Sequence, residues 1–320
     1  MNMKTTIQRT LLGVVFATLA TTGWSQFYGV RSHFLMSGFV DNPAGVGNNP
    51  CLDMRLGVRS QWAGFDGAPV TSFASLSGRL SEGATLGQGL GGFVQTDEIG
   101  PWSNTRFSLA YSTKVRLTNG ARLSAGLAAG MVQYKLDIGS LDFPVYAAAE
   151  DPVLFGSTTS QVVFPSIDFG LWYEDSETFA AVSMLNVMQT TLTDMTMTTS
   201  SGRNVVLMGG RVVKIDRRFS FRPAAQMRIA RGLPPSLDVQ GMFTYDKRAS
   251  MGLGYRAGSA LVGVMSFKLF DSMTVGYAYD FGVSSLNVAG RNSHELVISL
   301  TACDDTDPYS GPGGRCAAYD

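Results

Sequence analysis

Only two histidines, His33 and His294, occur in 320 residues. Ser293 directly precedes His294, and a hydroxyl beside an imidazole is the start of a nucleophile–base pair. Neighbouring residues of a strand point to opposite faces, however, so this pair does not converge and no catalysis is expected from it. No His/Cys set has zinc spacing. Asp137, Asp142, Glu150 and Asp151 form an acidic stretch with the oxygen chemistry of a calcium loop, but such stretches are usually just solvated loops, and that is the reading here. Gly87-Gln88-Gly89-Leu90-Gly91-Gly92 shares its glycines with phosphate-binding loops. No helical pattern follows it, and strand glycines facing a crowded interior explain it better. Of the three cysteines, Cys303 and Cys316 form a possible disulfide in an oxidising compartment, leaving Cys51 odd; three free thiols is the alternative. These residues describe a non-enzyme with no cofactor and no bound metal.

The elements that carry them follow from composition and pattern. Lys plus Arg and Asp plus Glu are 25 each, so formal net charge is zero, unlike the basic excess of a nucleic-acid protein. Charged residues make up 16%, against roughly a quarter in soluble domains. Lys4 and Arg9, then the apolar run Leu11–Ala20, then Gly23 and Ser25 before Gln26, read as a cleaved secretory signal over residues 1–25 rather than an uncleaved anchor. Gln26 is not a cysteine, so no lipoprotein is expected. No later apolar run approaches the roughly 18 residues of a spanning helix. If the chain crosses a membrane, it does so as strands.

Beyond the signal, the chain alternates. Leu52, Met54, Leu56 and Val58 interleave with Asp53, Arg55, Gly57 and Arg59; Leu237, Val239, Phe243 and Tyr245 interleave with Asp238, Gln240 and Thr244. A period of two gives each strand one apolar and one polar face. A soluble sandwich and an outer-membrane barrel both fit that rhythm. The runs are about 10–14 residues long, whereas soluble strands run about 5–6 and tilted membrane strands about 9–11, which favours the barrel. The fold expected is all-β: a transmembrane antiparallel up-and-down β-barrel of about 14 strands over residues 52–301. Residues 26–51 are a periplasmic lead or a plug, and 302–320 an irregular tail. Connections after even-numbered strands are short, such as Thr118-Asn119-Gly120; of those after odd-numbered strands, 137–160, 188–203 and 284–292 are long, while Ala63–Pro69 and Ala257–Ser259 break the trend. Barrels have short periplasmic turns and longer outer loops, so both termini are expected in the periplasm.

One stretch stands apart: Gln61-Trp62-Ala63-Gly64-Phe65-Asp66-Gly67-Ala68-Pro69, followed by Thr71. An interfacial aromatic girdle with turn residues explains Trp62 and Phe65 alone. The whole string resembles the Q-W-x-G-F-x-G-A-P-x-T signature of the PorP/SprF family of type IX secretion membrane proteins. Asn42-Pro43-Ala44 with Gly47 is similar to that family's N-P-A-x-x-G motif, although Gly45 stands where a bulkier residue is usual. Gly89 to Gly100 with Asp97, then Gly254-Tyr255-Arg256, Gly276-Tyr277-Ala278-Tyr279-Asp280 and Ser293-His294-Glu295, extend the resemblance over roughly residues 38–300.

The resemblance implies a non-enzymatic outer-membrane component of a Gram-negative, Bacteroidetes-like secretion and gliding machinery. It implies as partners the outer-membrane lipid, secreted cargo with a C-terminal sorting domain, including adhesins, and periplasmic type IX components. Gln61, Trp62, Gly64, Phe65, Gly67, Pro69, Asp97, Gly100, Ser293, His294 and Glu295 are the candidate partner-binding residues, gathered at the outer end as one docking site. Arg217, Arg218, Lys247 and Arg248 fall in short turns that either face periplasmic machinery or are merely solvated. A channel or transporter for small or hydrophobic solutes is the alternative, and a secreted soluble β-sandwich lectin or adhesin a third.

Overall fold

The structure is a computed structural model and describes residues 29–82, 86–118, 120–137, 159–188, 191–194, 197–200, 202–230, 233–283 and 292–302. The expected signal segment 1–25, the acidic residues Asp142, Glu150 and Asp151, and the tail with Cys303 and Cys316 lie outside the described residues.

The alternating segments form β1 (Leu52–Ser60), β2 (Val70–Glu82), β3 (Leu86–Ile99), β4 (Trp102–Arg116), β5 (Arg122–Asp137), β6 (Thr159–Glu174) and β7 (Thr178–Leu185). A small hairpin of β8 (Thr191–Asp194) and β9 (Met197–Ser200) follows, within a stretch the sequence pattern leaves as loop. Then come β10 (Asn204–Arg211), β11 (Val213–Lys214), β12 (Phe219–Ala230), β13 (Ser236–Tyr245), β14 (Ala249–Arg256), β15 (Ala260–Phe270), β16 (Met273–Gly282) and β17 (Ser293–Ala302). Each barrel strand pairs antiparallel with the next; β7 pairs β10, β10 pairs β12, and β17 returns to β1. β11 continues the line of β10 past Val212, so the closed barrel has fourteen strands. The fourteen expected strands all form. The first ends at Ser60, because Trp62 just beyond it takes φ +48°, outside the range of a strand.

Polarity decides the solvent. On β13, Leu237, Val239, Phe243 and Tyr245 are exposed, while Asp238, Gln240 and Thr244 are buried. On β1, Leu52, Met54 and Val58 are exposed while Asp53, Arg55 and Arg59 are buried. Leu253 is 78% exposed and Met251 66%. Charges inside and hydrocarbon outside is the inverse of a water-soluble protein and suits a lipid-facing barrel.

The barrel has two distinct ends. Where β1 begins and β17 ends, the connections are short: 83–85, 117–121, 175–177, 215–218, 246–248 and 271–272. We call this the turn end. At 246–248, Asp246 and Lys247 both take positive φ (+49° and +55°), the twist that matches a two-residue hairpin. The opposite, loop end carries 61–69, 100–101, 138–158, 186–203, 231–235, 257–259 and 283–292. All the long connections fall at the loop end, as expected, but 100–101 and 257–259 there are as short as those at the turn end.

Residues 29–48 lie inside the barrel and nearly all are buried. Two 3-10 turns, Phe34–Met36 and Pro43–Gly45, give this segment its local backbone structure. Asn42 caps the second turn: its Oδ1 accepts from Ala44 N–H (2.9 Å) and its Nδ2 donates to the carbonyls of Leu171 and Val182 (3.1 Å each). Pro43 opens the turn at a position needing no N–H donor, and Gly47 takes φ +64° with Gly78 O only 2.9 Å from where a Cβ would stand. The wall glycines are cut to fit. Gly126 and Gly170 sit where a Cβ would run into Pro43, Ala44 or Asn42. A Cβ on Gly91 would lie 3.1 Å from Phe39 Cζ, and one on Gly89 2.9 Å from Ser112 Oγ. Within the Gly-rich run, Gly89, whose Cβ would also meet Val46 O, and Gly91 thus thin the wall for its contents, while Gly87 and Gly92 meet only wall atoms.

Cys51, just ahead of β1, is disulfide-bonded. The other two cysteines, Cys303 and Cys316, lie outside the described residues. In the β1–β17 register Leu52 faces Ala302, and one further step of that register would set Cys51 opposite Cys303.

Digestion under non-reducing conditions should therefore yield Cys51 joined to Cys303, with Cys316 open to alkylation. A Cys51–Cys316 peptide would show that the register does not choose the partner. Gly126→Val should force the inner chain off the wall at a cost of about 1–3 kcal/mol, lowering the unfolding temperature and raising ion leak in planar bilayers. Gly263→Ala on the outer face, where the nearest atom is 4.0 Å from the added Cβ, should change neither.

Candidate functional site

The turn Gln61–Pro69 is held by both of its neighbours. Gln61 N–H donates to Pro69 O (2.9 Å), closing the turn on itself. On one side Ala63 N–H donates to Asn292 O (3.0 Å) and Trp62 N–H to Ser293 Oγ (3.3 Å). On the other side Gly100 N–H donates to Gly67 O (2.9 Å). A Cβ on Gly67 would lie 3.1 Å from Gly100 Cα, and both glycines take positive φ (+70° and +56°). Gly64 does so as well, at +97°. These glycines are needed for that backbone and that approach. Trp62 also sits in the left-handed region, which costs an L-residue roughly 1–2 kcal/mol. Trp62 and Phe65 nevertheless remain 46% exposed each. An ordinary girdle tryptophan needs no such backbone, so the turn holds its aromatics in a fixed, outward pose.

Beneath this rim the candidate residues divide. Gln61, Trp62, Gly64, Phe65, Gly67, Pro69, Gly100 and Ser293 form the rim. Asp97 faces inward, accepting from Thr71 Oγ1 (2.6 Å) and Gln95 Nε2 (2.8 Å). Glu295 is buried in the lumen and accepts from Ser32 N–H (2.6 Å), His33 N–H (3.1 Å) and Arg59 Nη1 (3.3 Å). His294, between Ser293 and Glu295, points outward as the alternation requires. Its Nδ1 lies 2.7 Å from Tyr277 OH, and its ring meets Tyr279 edge-on at 5.2 Å. The Ser293–His294 pair therefore does not converge, and among the described residues no group of three or more His, Cys, Asp or Glu is arranged to hold a metal.

The lumen holds residues the motifs did not single out. Ser32 is a hub: its Oγ accepts from Arg59 (2.6 Å) and Arg256 (3.0 Å) and donates to Asp280 (2.8 Å), and its carbonyl accepts from Gln240 (3.0 Å). Arg256 also grips Asp238 (2.6 Å) and Asp280 (2.8 Å), and Arg59 grips Asp280 (2.6 Å). Asp41 receives Arg31 (2.6 Å) and Arg228 (3.1 Å), and Arg31 also bonds Gln95. The signal for this network lay in plain view as charges on the polar face of each strand. Gly276-Tyr277-Ala278-Tyr279-Asp280 shows both duties: Gly276 clears space for His33 and Met36, Asp280 joins the network, and the tyrosines face out toward His294.

The family of type IX secretion system membrane proteins PorP/SprF matches residues 26–300. The chain belongs to the PorP/SprF family. It is a membrane component of type IX secretion, and its inverted barrel together with this family makes it an outer-membrane protein. No curated protein matches it. Among solved structures, similarity extends to the CymD monoaromatic hydrocarbon channel, at 11% identity and TM-score 0.49, over 88% of this chain and 96% of that one. The P. putida toluene transporter TodX matches at 12% identity and TM-score 0.49, over 87% and 95%. The Ralstonia pickettii toluene transporter TbuX matches at 13% and 0.47, over 83% and 92%. At such identities nothing about solutes carries over to this chain.

Ser32→Ala should remove three side-chain bonds at once and leave two buried guanidiniums and a carboxylate short of partners, at about 1–3 kcal/mol. A clear fall in the unfolding temperature of the purified barrel, with strand content unchanged by circular dichroism, checks this.

Proposed function

We propose that this PorP/SprF protein is a non-enzymatic docking platform at the cell surface for secreted cargo carrying a C-terminal sorting domain. The rim formed by Gln61–Pro69, Gly100 and Ser293 receives the cargo. The observation that carries the reading is a strained aromatic turn, stapled to both neighbouring connections and left exposed, above a lumen occupied by residues 29–48. A surface already fixed before binding loses little conformational entropy on association, and exposed tryptophan is a frequent binding hot spot. Asp97 and Glu295 serve the rim from below by fixing the strands that carry it. The short connections at the turn end, with Arg217, Arg218, Lys247 and Arg248, lie in the periplasm in this reading and face periplasmic type IX components. The host is Bacteroidetes-like, as the family resemblance implies. Passage of small or hydrophobic solutes is disfavoured because the inner chain fills the path.

Trp62→Ala with Phe65→Ala should cut surface-displayed cargo at least tenfold while heat-modifiable barrel stays at wild-type abundance. Normal display from a correctly inserted double variant rules out rim docking. Steady, open-pore conductance from the purified wild-type barrel would instead favour the channel.

A further inference from the structure

The inner segment begins at the loop end of the lumen and leaves it at the turn end. Gly29 lies at the loop end: a Cβ there would stand 2.9 Å from Thr71 Cγ2 and 3.0 Å from Gln95 Nε2, and its carbonyl accepts from Arg228 Nη1 at 3.3 Å. Thr71 is the second residue of β2, so Gly29 sits just below the Gln61–Pro69 rim. Descending, Ser32 meets Asp280 and Arg256, Met36 O accepts from Arg55 (2.9 Å), Val46 O accepts from Ser112 Oγ (2.7 Å), and Gly47 packs on Gly78. Cys51 then enters β1 at the turn end. Between these ends the chain turns back once, where Asp41 returns to Arg31 and to the Arg228 that holds Gly29 O.

We propose that the amino-terminal chain is threaded lengthwise through the barrel, so that the mature amino terminus emerges beside the Gln61–Pro69 rim, on the opposite face of the membrane from Cys51 and the end of β17. A return toward the turn end is blocked, because the lumen beside Gly29 is filled by Arg31, Asp41, Gln95, Asp97 and Arg228. With cleavage before Gln26, three residues precede Gly29, a reach of about 10 Å when extended. The terminus is therefore presented at the rim to whatever docks there. That presentation rests on the docking reading above; the threading does not.

The test places one short epitope after Gln26, one at Asp66 in the rim turn, and one between Asp246 and Lys247 at the turn end, each in the full chain. Tag removal by added protease is compared on intact and permeabilised cells. The amino-terminal tag should be cut with the rim tag, and at least tenfold faster on intact cells than the turn-end tag. An amino-terminal tag that behaves like the turn-end tag overturns the proposal. If the rim tag proves periplasmic, surface docking fails while threading stands so long as the amino-terminal tag follows it. Should a tag impair insertion, a photocrosslinking residue at position 28 of the untagged chain decides: adducts to Gln61–Pro69 or Ile99–Trp102 support threading, and adducts near Arg217 or Lys247 overturn it.

Discussion

Hydrocarbon offers no hydrogen bonds, and that single fact organises this protein. A strand facing lipid can satisfy its N–H and C=O groups only through neighbouring strands, so the sheet must have no edge. The pairing of β1 with β17, from Leu52 with Ala302 to Ser60 with His294, removes the last edge. Closure also turns the usual burial rule inside out. Leucine, valine and phenylalanine go to the outer face at no cost, and the polar face of every strand is confined to a narrow lumen. Charges there need partners, since an unpaired buried charge is expensive. The inner chain supplies many of them: Ser32, Arg31 and Asp41 complete bonds that Arg59, Arg256, Asp280, Glu295 and Arg228 begin.

This division explains why the sequence was readable in one respect and opaque in another. Period-two alternation is a local property, so the fourteen strands and the sorting of short and long connections could be read directly from the residues. Local rules fail where a residue answers to something distant. Trp62 continues the apolar alternation of β1, yet its backbone turns over because Ser293 and Asn292, far along the chain, hold the turn. Residues 29–48 show no period at all. Their conformation is set by bonds such as Ser32 to Glu295, made between positions 263 apart in sequence. Asp97 and Glu295 were grouped with the rim because they neighbour rim residues in sequence. A strand reverses facing at each step, which puts them in the lumen.

The glycine motifs acquire a common meaning in the folded chain. Gly89, Gly91, Gly126, Gly170 and Gly276 line the wall where the inner chain passes closest. Gly64, Gly67 and Gly100 do different work, granting the backbone angles of the rim. The resemblance that identifies the family is therefore a record of two constraints: the fit of a filled lumen, and the pose of one exposed turn.

Those constraints bear on whether the barrel can serve as a conduit. Opening it means withdrawing Phe34, Leu35, Phe39, Val40 and Val46 from buried sites. At about 1.5–3 kcal/mol per large apolar side chain, five such residues hold roughly 8–15 kcal/mol. That equals the whole folding stability of a typical domain, about 5–15 kcal/mol. The lumen charges would recover hydration on opening, so they oppose withdrawal less than the apolar contacts do. Thermal fluctuation alone does not empty a lumen held this way; an external energy source or a partner binding the released segment would have to. A rim with its own rigid, aromatic surface needs neither, which is the physical reason to look for function at the mouth of this barrel rather than along its axis.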